Sequence, residues 1–201
     1  MPIRTKVFAA ALVCILFGCT QTSNSNSPVA ENSGTKLSYP IENFATGITK
    51  KPFGIYITPK TSPVQPERFT GYHTGVDIET TAAQKDADVW VYAIADGKVE
   101  LKRRVNGYGG VLILSYVIDG QTYSALYGHL NLPGNLQVGD TVKAKQALTT
   151  LGAGFSTATD GERKHLHFSL KPGLDLDLRG YVENESELSG WIDPVKFFSE
   201  H

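Results

Sequence analysis

The sequence predicts an all-β fold, a compact antiparallel β-sheet or sandwich domain built from hairpins, and three observations carry that expectation. From about Leu37 onward, apolar and β-branched residues come in short runs broken by Gly, Pro and Asp-Gly, the spacing of strands and turns. Helical periodicity is weak along the same stretch. The pairs Asp96-Gly97 and Asp119-Gly120 mark tight hairpin turns, because such turns need positive φ and match the twist of the strands they join.

Taken in order, Val89 to Ile94 leads through Asp96-Gly97 into Lys98 to Leu101, which predicts a first hairpin. Val111 to Ile118 leads through Asp119-Gly120 into Gln121 to Leu126, which predicts a second. Val138 to Val142 and Leu148 to Leu151 are expected as short strands joined by Gly-containing turns, and His165 to Leu170 as a last central strand. Near the end, Asp193-Pro194 is expected to start a short helical turn whose aromatics, Phe197 and Phe198, pack back onto the sheet. The basic run Lys102-Arg103-Arg104 follows an alternating pattern and reads as the solvated end of a strand.

The 201 residues are 41% apolar and 10% aromatic, enough for one domain with its own core. Lys and Arg total 19 against 20 Asp and Glu, so no basic excess exists to bind phosphate, and nucleic acid is not an expected partner.

Residues 1–18 read as an address. Arg4 and Lys6 precede an eleven-residue apolar stretch, Val7 to Phe17, which fits a secretory signal and is too short to span a bilayer. Leu16-Phe17-Gly18-Cys19 resembles the lipobox of bacterial lipoproteins, which implies lipidation at Cys19. The two cysteines, Cys14 and Cys19, both lie here. Cleavage before Cys19 would remove Cys14 and leave no disulfide, and a multiply acylated Cys19 would anchor the chain stably to a membrane. Residues 19–36 are then the lipidated end and a polar tether, and residues 37–201 the folded domain. Thr20 after the cysteine points to the outer membrane, facing the periplasm, if the host is Gram-negative.

Apart from the terminal His201, four histidines remain, at 73, 129, 165 and 167. His73-Thr74-Gly75-Val76-Asp77 pairs an imidazole with a carboxylate, and His165-Leu166-His167 pairs two imidazoles. These are donors that Zn²⁺ takes, and a catalytic zinc site needs three of them with a fourth position left for water. On a strand, His165 and His167 would share one face while Leu166 turns to the core. One ring can then bind metal while its neighbour touches water or substrate. His129, after Tyr127-Gly128, adds an imidazole where loops carry function on a rigid scaffold.

His73-Thr74-Gly75-Val76-Asp77 has the form His-x-Gly-x-Asp, and Tyr127-Gly128-His129-Leu130, Gly139-Asp140-Thr141-Val142 and His165-Leu166-His167-Phe168 follow it in order. That series resembles the LytM and lysostaphin-type zinc peptidases of cell-wall metabolism, over about Pro52 to Pro194. Gly107-Tyr108-Gly109-Gly110 resembles the family's glycine turn and Trp191-Ile192-Asp193-Pro194 its closing segment. The resemblance implies that His73, Asp77 and His167 bind Zn²⁺ and that His129 and His165 take the catalytic positions. It implies a zinc-dependent endopeptidase that hydrolyses peptide cross-links of bacterial peptidoglycan at the cell envelope. The alternative is a non-catalytic domain of the same fold that binds the wall or activates other hydrolases. Thr80 to Asp88 and Phe155 to Lys164 depart from the family pattern as longer polar loops and are expected to line the groove. Ser169 stands where the family often has Glu, so the partners of the histidine pair are left open.

Overall fold

The structure, a computed structural model, describes residues 1–3 and 37–201. The proposed signal, the lipobox with Cys19 and the tether lie outside the described residues. Among the described residues, no helix is long and apolar enough to cross a membrane.

Among the described residues, twelve strands follow one another: β1 Tyr56–Ile57, β2 Gly71–His73, β3 Val76–Glu79, β4 Trp90–Tyr92, β5 Gly97–Val105, β6 Gly109–Ile118, β7 Gln121–Gly128, β8 Leu130–Asn131, β9 Thr141–Val142, β10 Ala147–Leu151, β11 His165–Pro172 and β12 Tyr181–Val182. Two short helices, α1 Phe44–Gly47 and α2 Pro194–Glu200, flank them. The main sheet has six strands in the order β3-β11-β7-β6-β5-β9, and two three-stranded sheets run β1-β2-β12 and β4-β10-β8. Every pairing is antiparallel. The expected all-β architecture is the one observed.

The main sheet forms because its middle strands are apolar on the face they bury. Leu112, Leu114, Tyr116 and Ile118 of β6, Ala125 and Tyr127 of β7, and Leu166, Phe168 and Leu170 of β11 join one cluster with Val91, Leu148 and Leu151 of the β4-β10-β8 sheet. Phe44 of α1 and Phe197 of α2 close it. The odd-numbered residues of β6, Val111 and Ile113, bury against Tyr108 and Leu126 on the opposite face. β6 is thus covered on both sides, which explains its nearly unbroken apolar run. α2 begins as anticipated: Asp193 caps it by accepting from the Val195 amide at 2.9 Å, and Pro194 occupies its first turn.

One of the two expected hairpins is present and the other is not. β6 and β7 pair from Ile118↔Gln121 inward, around Asp119 at φ 49° and Gly120 at φ 78°, the two left-handed residues that a tight turn of this kind requires. Asp96-Gly97 makes no hairpin: β4 pairs with β10, β5 pairs with β6 and β9, and the link between β4 and β5 passes from one sheet to the other. Gly97 is needed for space, since a Cβ there would come within 2.5 Å of the Tyr116 ring. Asp96 is spent on Lys143 Nζ at 2.7 Å and the Ala144 amide at 2.9 Å. The partner that does form a hairpin with β5 is β6, through the turn around Asn106 and Gly107.

A buried ion pair fixes the chain ahead of β2. Lys51 Nζ donates to Glu67 Oε2 at 2.6 Å with both side chains almost fully covered, and Ser62 Oγ donates to the same oxygen at 2.9 Å. Glu67 Oε1 accepts from the Arg68 and Phe69 amides at 2.9 Å. Burial alone would push the Glu67 carboxyl up, but Lys51, the Phe69 amide and Ser62 outweigh it and hold it below its ordinary value of 4.5. Because the folded-state value is depressed, the pair's contribution is present above pH 4.5 and is lost as pH falls through the folded value. Lys51→Met, which strands the carboxylate, is expected to cost about 3–5 kcal/mol at pH 7 and less in acid, where the carboxyl takes up a proton; urea denaturation at both pH values measures the difference.

Candidate metal centre

The centre is assembled by the pairing of β3 with β11. Asp77 stands directly across from His167 and Glu79 from His165, so one sheet face carries two imidazoles beside two carboxylates. The opposite face of β11 carries Leu166 and Phe168, both fully buried in the core, as the alternation of His165-Leu166-His167 predicted. β2 brings His73 in from the neighbouring sheet, and its side chain is completely covered. Gly75, between His73 and Asp77, has no room for a Cβ, which would strike the Phe168 carbonyl and Ser169 of β11.

Three donor atoms converge. His73 Nε2 lies 3.1 Å from His167 Nδ1, His167 Nδ1 lies 3.1 Å from Asp77 Oδ1, and Asp77 Oδ1 lies 3.3 Å from His73 Nε2. Four ligands arranged tetrahedrally at bonds of about 2.0–2.1 Å have neighbouring donor atoms about 3.3 Å apart, and these three fit that spacing. Among the described residues, His73, Asp77 and His167 are the group of His, Cys, Asp and Glu placed to hold a metal ion.

Protonation favours the same use. His73 Nδ1 faces the Pro52 carbonyl at 3.2 Å, which can only accept, so the proton resides there and Nε2 offers a lone pair. His167 Nε2 meets the Tyr108 hydroxyl at 3.3 Å, leaving Nδ1 for the centre. Burial pushes His167 down to about 4. Burial would raise Asp77, but the electrostatic effect of His165 and His73 and hydrogen bonds with His165 and His167 hold it well below its ordinary 3.8. A charged carboxylate beside a neutral imidazole is the donor set that Zn²⁺ takes, so the residues present fit the ion.

His129 and His165 lie beside this triangle with ring centroids 4.1 Å apart. His165 Nδ1 donates to the Arg163 carbonyl at 2.9 Å and His129 Nδ1 to the Thr159 carbonyl at 3.3 Å. Each ring thereby turns its Nε2 to the centre, and that of His165 lies 3.3 Å from Asp77 Oδ2. His129 occupies φ 63°, a conformation that non-glycine residues rarely adopt; its carbonyl is tied to the Gly152 amide at 2.8 Å. Burial, then the neighbouring His165, keeps His129 well below its ordinary value and so neutral. All five residues anticipated from the sequence meet at one place.

The surrounding groups were less legible. Tyr108 belongs to the turn Gly107-Tyr108-Gly109-Gly110, read above only as a turn; its ring fits because Gly128 has no Cβ, which would lie 2.6 Å from Tyr108 Cδ1. Burial, then Asp77, raises the Tyr108 phenol well above its ordinary range, so it stays a neutral hydroxyl. Tyr181 of β12 stacks on His73 at 5.1 Å. These rings, with Phe69, Leu178 and Lys51, line a cleft of about 320 Å³ over the centre. Of the two loops expected to line it, Phe155 to Lys164 does so through Glu162 and Arg163. Thr80 to Asp88 contributes no residue to the cleft. It packs behind the other loop instead: Lys164 Nζ donates to the Gln84 and Ala87 carbonyls at 3.1 and 2.5 Å.

No curated protein matches the sequence significantly. Three solved structures illustrate the likeness. LytU is 24% identical, with 83% of this chain and 86% of that chain covered and a TM-score of 0.49. The catalytic domain of the antimicrobial peptidase lysostaphin from Staphylococcus simulans is 23% identical, with 82% and 92% covered and a TM-score of 0.48. CbpA from L. salivarius REN is 15% identical, with 82% and 95% covered and a TM-score of 0.51, a similarity of fold alone. The sequence itself matches the description "Peptidase family M23" over residues 71–177. That match takes in more than half of the chain and all five residues of the centre, and the chain therefore belongs to peptidase family M23.

Proposed function

We propose that this chain is a zinc-dependent endopeptidase that hydrolyses peptide cross-links of bacterial peptidoglycan. The observation that carries the proposal is the triangle of His73 Nε2, Asp77 Oδ1 and His167 Nδ1, with sides of 3.1–3.3 Å, beside two further imidazoles. A zinc ion held there supplies Lewis-acid polarisation of a carbonyl and lowers the pKa of water to about 7. His165 and His129 each turn Nε2 to the cleft, with Nδ1 held by the Arg163 and Thr159 carbonyls. One of them takes the proton of the attacking water as its oxygen bonds to the carbonyl carbon. That imidazole, now protonated, hydrogen-bonds the oxyanion of the tetrahedral intermediate and then passes its proton to the departing amine as the C–N bond breaks, while the second, neutral imidazole accepts a hydrogen bond from the attacking water and orients it.

Peptidoglycan as the substrate is supported by the match to peptidase family M23. A non-catalytic, hydrolase-activating role for the same fold is the rival reading. The retention of both imidazoles outside the metal triangle, each with its Nδ1 satisfied, favours catalysis. The leader at 1–18, lipidation at Cys19, the tether over 19–36 and the folded domain over 37–201 complete the proposal, placing the domain at the cell envelope through a lipid anchor.

Purified protein is expected to carry about one zinc per chain by elemental analysis, and His167→Ala to carry almost none. His129→Ala is expected to keep its zinc and lose activity by about 10²–10⁴-fold, measured by release of fragments from muropeptides of known cross-link. Zinc-loaded wild type that cleaves none of them would favour the non-catalytic role. Cys19→Ser is expected to abolish incorporation of labelled palmitate in cells and to release the protein from membranes.

A further inference from the structure

We infer that Arg163 is the positioning residue of the metal centre: its guanidinium occupies Asp77 Oδ2, so that the carboxylate presents Oδ1 alone to the cation. This rests on the zinc reading above. No motif contained Arg163; it is the last residue but one of the long loop Phe155 to Lys164 and lies two residues before His165. Its Nη2 donates to Asp77 Oδ2 at 2.9 Å and to Glu79 Oε1 at 2.5 Å, while its Nε lies 3.0 Å from both Glu79 oxygens. The side chain is 12% exposed, and two carboxylates offset the burial of its charge. Planarity matters here, because a guanidinium can grip one carboxylate with two donors and still reach a second.

Glu79 supplies the other half of the device. It is two residues beyond Asp77 on the same face of β3 and stands across from His165, where it holds the Arg163 fork from behind. Asp77 is thereby divided between two tasks. Oδ2 is committed to Arg163 and lies 3.3 Å from His165 Nε2, whereas Oδ1 faces His73 and His167. A carboxylate free at both oxygens can chelate a divalent cation with both, and a second bond from Asp77 would fill the position that a catalytic zinc site keeps open. By occupying Oδ2, Arg163 keeps that position available to water and substrate.

Cobalt(II) in place of zinc reports coordination number, since a four-coordinate ion absorbs visible light much more strongly than a five-coordinate one. The test compares wild type, Arg163→Lys and the double variant Arg163→Met with Glu79→Gln, which leaves no stranded carboxylate at 79. Cobalt-loaded wild type is expected to show the intense band. The double variant is expected to show the weaker one and to lose about 10–100-fold in kcat with the zinc form, at little change in KM. Arg163→Lys retains the charge and one point of contact with Asp77, and is expected to restore part of both the band and kcat. Circular dichroism and thermal unfolding establish that each variant is folded. If the double variant does not fold, the comparison of Arg163→Lys with wild type decides: a lysine variant indistinguishable in spectrum and kcat overturns the role of the fork. A folded double variant with the wild-type spectrum also overturns the inference. A wild type that binds neither zinc nor cobalt overturns the metal reading itself, and the positioning role with it.

Discussion

The antiparallel pairing of β3 with β11 is the constraint on which the rest of the site depends. Its register sets Asp77 across from His167 and Glu79 across from His165. Because side chains alternate with a period of two, a slip by one residue would send both histidines into the core and turn Leu166 and Phe168 towards the cleft. The fully buried Leu166, Phe168 and Leu170 oppose that slip, since each would lose its burial. The same alternation that fills the core therefore aims the imidazoles, and stability and site geometry are set by one set of contacts.

Around this pair, the centre is fixed by hydrogen bonds that each use the ring nitrogen not needed for chemistry. Pro52, Thr159 and Arg163 offer carbonyls to His73, His129 and His165, and Tyr108 offers its hydroxyl to His167. These partners come from three separate parts of the chain, Thr159 and Arg163 belonging to one loop, so that a change in any one of them would disturb the centre. A ligand held in one tautomer and one orientation needs no reorganisation when a cation arrives. Arg163 and Glu79 extend the same logic to the carboxylate.

The loops show where local sequence signals stop being sufficient. Asp119-Gly120 and Asp96-Gly97 are the same dipeptide, yet the first closes the β6–β7 hairpin and the second lies on a passage between two sheets. At Gly97 the missing side chain makes room for Tyr116, a residue of the neighbouring strand that local sequence does not place there. The two polar loops likewise looked equivalent, but only Phe155 to Lys164 reaches the cleft, and Thr80 to Asp88 supports it from behind.

The sequence by itself determined the all-β class, the β6–β7 hairpin, which side chains of β11 face the core and which face the centre, and the five residues that meet there. Those features rest on short-range regularities: strand alternation, a two-residue turn, and motifs a few residues long. Only the tertiary structure decided which oxygen of Asp77 faces the histidines, which group holds each imidazole, and that Arg163 and Glu79 belong to the site. Those contacts join residues far apart in the chain, as Arg163 does with Asp77 across 86 positions, and they exist only once the sheets have packed and fixed the distances between their side chains.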